Sequence, residues 1–182
     1  MLYITVPGVD MFNDSIGEFI TVKETRLALE HSLVSVSKWE SATNRPFLQQ
    51  DPPKTADELL LYIKCMTITQ NVDPMVYYGL TEENLKDINK YIEAPMTATT
   101  IYDQSSRKGG KKEVITSEII YYWMVSYNIP FECQKWHLNR LLVLINVLSI
   151  KNSPPKKMSR GEALARQRAM NNRRRKLAGS GG

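Results

Sequence analysis

Cysteine is almost absent: Cys65 and Cys133 are the only two in 182 residues. That is too few for a disulfide framework, so the fold must rest on burial. Histidine is equally scarce, with His31 and His137 alone, and a structural zinc site usually takes four ligands. Long apolar runs are missing as well. The most apolar stretch, Leu141–Ile150, contains Asn146 and Ser149 and is about half the length that crosses a bilayer. No membrane partner is therefore expected. Met1–Val6 lacks a basic lead and runs into Pro7-Gly8, unlike a secretory signal. A cytoplasmic protein is the simplest expectation.

What is present is an ordinary globular balance, 42% apolar and 24% charged residues, enough for one core plus an extension. The charge is divided unevenly. Residues 151–182 hold ten Lys or Arg against one acid, Glu162, a net +9 within a chain total of +5, so residues 1–150 carry −4. Such asymmetry points to an extension that meets an acidic partner, a nucleic acid or the body itself.

Leu2–Val6 and Glu18–Val22 read as strands of a β-hairpin, separated by Pro7-Gly8 and by turn residues over Asn13–Gly17. Leu27–Ser37 fits a helix continuing to about Trp39, although its Val-Ser-Val alternation also fits a strand. Thr55 and Glu58 form a capping box, opening a helix with Leu59, Ile63 and Met66 on one face. Thr81 starts another, with Glu82 and Glu83 placed against the helix dipole, Leu85, Ile88 and Ile92 as its stripe, and Pro95 as its stop. Residues 96–112 read as an exposed loop. Ser117 is placed to cap a helix carrying Ile119, Ile120, Trp123, Met124 and Tyr127, closed by Asn128-Ile129-Pro130. A further helix is expected over Glu132–Ser149. Its stripe of Leu138, Leu141, Leu142, Ile145 and Leu148, with Val143, Val147 and Ile150 on another side, implies neighbours all round. This last pair of helices is the expected centre of the fold. Asn152-Ser153-Pro154-Pro155 breaks the chain, and Ser159 with Glu162 reads as a capping box for a short helix whose apolar content is so low that it should fold on a partner. Gly179–Gly182 reads as a frayed end. The fold class expected is mainly α: a helical domain of residues 1–150 with a small N-terminal β-hairpin, a linker over 151–158 and a basic C-terminal helix over 159–182.

Chemistry is sparse. Cys133 and His137, four apart on the expected helix, would share a face, but two ligands close no zinc site, and nothing in the sequence brings His31 or Cys65 beside them. A buried thiol and a hydrogen-bonded ring are the simpler reading. Lys108–Lys112 evokes a phosphate loop but lacks the glycine spacing, the preceding strand and the Lys-Ser/Thr pair that the loop requires. The acids are scattered, so no acid–base pair or Mg²⁺ site stands out. Trp39, Trp123 and Trp136 read as core anchors. No cofactor, metal or catalytic residue is expected, and an interaction protein is favoured over an enzyme. The residues with functional weight are the cations Lys156, Lys157, Arg160, Arg166, Arg168, Arg173, Arg174, Arg175 and Lys176. They suit either phosphates or, by ion pairs along Arg166, Arg168 and Arg173, an acidic or amphipathic helix. The acidic body weighs against a dedicated nucleic-acid protein.

Several stretches carry a resemblance together: Leu29–Leu33 leading to Ser37-Lys38-Trp39-Glu40, Arg45-Pro46-Phe47-Leu48, Tyr62–Thr67, Ile119–Met124 and Ile129–Leu141. This set resembles the tail assembly chaperones of long-tailed bacteriophages, and covers most of residues 20–160. The resemblance implies a protein of the host cytoplasm that coats the tape measure protein, a very long helical chain with exposed apolar stripes, and recruits tail tube protein before leaving the growing tail. It further implies that grooves around the helices of residues 117–127 and 132–149 take the client, with segment 156–176 as a second contact. It implies no individual binding residue.

Overall fold

The computed structural model describes residues 1–13, 17–49, 51–99, 114–153, 160–177 and 179. Helices hold 57% of these and strands 13%, so the chain is mainly α. It divides into two units, Met1–Ser149 and Ile150–Gly182.

The first unit begins with a β-ribbon. Strand β1 (Leu2–Val6) pairs antiparallel with β4 (Thr25–Leu29), Leu2 facing Leu29 and Val6 facing Thr25. Strand β2 (Val9–Asn13) pairs with β3 (Glu18–Val22), Val9 facing Val22. Both ladders share one register, so they are two halves of a single long hairpin. Its break lies at Pro7-Gly8 opposite Lys23-Glu24, where proline has no N–H to give the ladder. The pairing differs from the expected partnership of Leu2–Val6 with Glu18–Val22. Strand β2 was hidden by Asp10 and Asn13, both turn formers. Strand β4, Thr-Arg-Leu-Ala-Leu, takes residues assigned from sequence to the start of a helix. Leu27 and Leu29 are buried there by strand alternation, along with Ile4, Val6 and Val22.

Helix α1 (Leu33–Thr43) follows directly. Ser32 caps it in a box with Ser35, and Asn44 ends it in the left-handed region at φ 53°. Leu33, Val36 and Trp39 are completely buried, and α1 packs against α2, against α4 and against the 3-10 helix Phe131–Lys135. The centre of the fold is thus α1, not the pair of helices over 117–149. Helix α2 (Ala56–Met66) opens on the expected Thr55–Glu58 box. Tyr62, Ile63 and Met66 face the core while Leu59 is half exposed, one residue around from its expected face. A 3-10 helix, Pro74–Gly79, leads to α3 (Glu82–Glu93), capped by Thr81, which buries Ile88 and Tyr91 rather than Leu85. The loop expected over 96–112 falls mostly outside the described residues.

Helix α4 (Ser117–Ser126) is entered through Thr116, so Ser117 is its first turn and not its cap. The end is as expected: Asn128 adopts φ 52°, and Ile129 N–H returns to the Met124 carbonyl at 2.8 Å. Ile120 and Met124 are fully buried. The single helix expected over Glu132–Ser149 is two pieces. A 3-10 helix spans Phe131–Lys135, Trp136 turns extended, and α5 runs Leu138–Asn152. The break arises because Leu138 N–H bonds to the His31 carbonyl at 2.8 Å and residue 137 bridges Ser32, so tertiary hydrogen bonds replace helical ones. In the second unit, α6 spans Arg160–Leu177. The expected linker prolines and the Ser159 cap lie outside the described residues, as does most of Gly179–Gly182.

Candidate interaction surfaces

The structure brings the two histidines together, which sequence spacing could not reveal. His31 sits between β4 and α1, His137 at the entrance to α5, and their rings meet edge-on with centroids 5.0 Å apart. His31 Nδ1 bonds the Tyr62 hydroxyl. His137 Nε2–H donates to the Tyr91 carbonyl at 2.9 Å, and the Tyr91 hydroxyl donates to Glu30 at 2.6 Å. Nδ1 of His137 is buried with no hydrogen-bond partner among the described residues. Burial first, then the neighbouring His137, pushes His31 down to about 3. Burial also lowers His137, against the opposing pull of the Tyr91 carbonyl. Both rings are therefore neutral at physiological pH, and burial raises the phenols of Tyr62 and Tyr91. The cluster ties β4, α1, α2, α3 and α5 to one another. Cys133, buried in the 3-10 helix, and His137 do not share a helix face, because the chain turns between them. Among the described residues no three His, Cys, Asp or Glu side chains gather as a metal site would need, and no helix is long and apolar enough to cross a membrane.

A second buried group is the Glu40 carboxylate on α1. Its oxygens accept from Phe47 N–H at 2.8 Å and from Ser117 N–H at 2.7 Å. This side chain, 77 residues away in sequence, satisfies the free N-terminus of α4, for which Thr116 makes no side-chain cap bond. Trp39 is anchored by Nε1–H donating to the Glu58 carbonyl at 2.8 Å, fixing α1 against α2.

The outer faces are less complete. On α4, Glu118, Tyr122 and Val125 point outward at helical spacing, and Tyr122 is 67% exposed. The Tyr121 ring lies 6.5 Å from that of Phe131, which is itself exposed. On α5 only Leu138, Leu141 and Ile145 are buried, while Val143, Leu144, Val147 and Leu148 are covered in part. The broad apolar surface read from the sequence is real, but much of it is only half buried, with Leu142, Leu144 and Leu148 packed at the edge of the core. At the ribbon, Phe12 and Phe19 pair across β2 and β3 with centroids 5.2 Å apart, both exposed.

Of the cations singled out from sequence, Arg166, Arg168, Arg173, Arg174 and Arg175 lie along α6 and are exposed. Arg160 and Lys176 also belong to α6, but their side chains lie outside the described set, as do Lys156 and Lys157 altogether. At about 100° per residue, Arg166 and Arg173 share one side of α6 while Arg168 lies nearly opposite. The three do not form the single row that ion pairing with one helix would use. Compared with family models, with curated proteins and with solved structures, the chain matches none.

Proposed function

We propose that this chain is a tail assembly chaperone of a long-tailed bacteriophage, working in the host cytoplasm by transient binding to the tape measure protein. The observation that carries the reading is the incomplete covering of α4 and α5, where Tyr122 and Val125 stand exposed and Val143, Val147 and Leu148 are only partly covered. Apolar side chains left exposed together on one helix face, as Tyr122 and Val125 are on α4, are what an interaction partner covers. A helical client with its own apolar stripe is the complement that helix-in-groove recognition takes. The resemblance of residues 20–160 to such chaperones supplies the identity of that client, and tail tube protein is the second partner it suggests. Transient use fits a surface mixed with tyrosine and serine, since obligate interfaces are more apolar.

Mass spectrometry of infected-cell lysate and of purified particles tests this reading. The chain should co-purify with tape measure protein from lysate after nuclease treatment and be missing from finished particles. Stoichiometric presence in the particle would make it a structural component of the tail instead.

A further inference from the structure

Among the described side chains of α6 the exposed large apolar ones are Leu164 and Met170, and they stand about 120° apart around the axis, so these two do not form a stripe. The charge of α6 is arranged in another way. Arg166-Gln167-Arg168 and Arg173-Arg174-Arg175 are two triplets seven residues apart, all six side chains exposed. Seven residues make almost two turns, about 10.5 Å of rise, so each triplet member lies above its counterpart. Arg166 and Arg173 make one ridge. Arg168 and Arg175 make a second, roughly 160–200° around the helix. Gln167 and Arg174 lie on a line between them, with Asn171 beside it.

A flat acidic protein surface reaches one side of a helix and would leave one of these ridges unused. A groove walled by phosphates on both sides reaches both at once. The major groove of B-form DNA is about 12 Å wide and an α-helix with side chains is about 10–12 Å across. The A-form groove of RNA is deep and narrow. We infer that α6 is a DNA-binding helix that lies in the major groove of duplex DNA, its two arginine ridges on the opposing phosphate walls and its Gln167–Arg174 line toward the base edges. Four arginines against phosphates give affinity without sequence choice. This activity is separate from the chaperone reading and stands or falls without it.

The test is fluorescence anisotropy of the full chain with a labelled DNA duplex of about 20 base pairs, a matching RNA duplex, and poly-glutamate as an acidic polymer without a groove. DNA should bind tightest and lose roughly 10²- to 10³-fold in affinity between about 50 and about 200 mM salt. The double variants Arg166→Gln/Arg173→Gln and Arg168→Gln/Arg175→Gln should each reduce the salt slope by about two. Glutamine keeps a helix propensity close to that of arginine, so loss of helix would not explain the effect. The matching lysine variants should keep the slope. Poly-glutamate or RNA binding as tightly as DNA would overturn the inference. So would a loss confined to one ridge, which is what docking on a single protein face produces.

Discussion

At the scale of single residues, two buried polar side chains help to hold the first unit together, and each gives a test. His31 is neutral in the fold and normally basic when unfolded. Because its folded pKa, about 3, lies below the ordinary value of 6.5, the unfolded chain binds the extra proton between those limits. Stability is therefore full above about pH 6.5 and falls as pH drops, by up to about 1.4 kcal/mol per pH unit for this one group. Urea midpoints measured from pH 7 to pH 4 should show that acid limb, and His31→Gln, which can still bond Tyr62 but cannot titrate, should flatten it. An unchanged slope would mean that His31 is accessible to protons in the fold. Glu40 has a different role, since both its oxygens accept from backbone N–H groups. Glu40→Ala should cost about 3 kcal/mol, since two buried donors lose their partner, and Glu40→Gln, which keeps one acceptor, should cost less. Neither role was visible in the sequence. The spacings 31 to 137 and 40 to 117 carry no periodic signal, and only the finished fold makes these residues neighbours.

At the scale of elements, local chemistry was legible and long-range pairing was not. The Thr55–Glu58 box and the Thr81 start were readable because a cap is decided within four residues. Urea denaturation should show Thr55→Ala costing about 1 kcal/mol. The residue that only looked like a cap, Ser117, gives way to Thr116, which makes no side-chain cap bond. Thr116→Ala should be nearly neutral in the same measurement, because Glu40 already serves that helix end. Strand β4 was misread because Thr25–Leu29 has only one β-branched residue, and its strand conformation is set by its partner β1. The break before α5 follows the same logic, since His31 and Ser32 on a distant segment claim the backbone of residues 137 and 138. Which helix would be central was also a question of neighbours. Apolar breadth marked α5, but α1, shorter and containing three serines and a buried glutamate, holds the middle.

At the scale of the whole molecule, the division into Met1–Ser149 and Ile150–Gly182 separates the apolar core from the segment with the greatest excess of cations, ten Lys or Arg against one acid. Residues 1–152, which keep α5 whole, should melt within a few degrees of the full chain, since the core side chains all belong to the first unit. A large drop in Tm would show that the second unit stabilises the first. The candidate surfaces divide along the same line: partly covered apolar helices in one unit, an exposed arginine helix in the other. The cationic positions were readable from the sequence, but their distribution around α6 needed the helix. The uncovered faces of α4 and α5 were not readable, because exposure depends on what the rest of the chain leaves unpacked.

The chaperone reading is tested most directly by co-expressing the full chain with the tape measure protein of the phage it would serve and measuring how much of the latter stays in the supernatant. With the chain present, most of the tape measure protein should remain soluble and co-elute with it. The variant Tyr122→Ala/Val125→Asp, altered only at exposed positions, should return it to the pellet. Equal precipitation with and without the chain would contradict the proposal that its open helical faces receive that client.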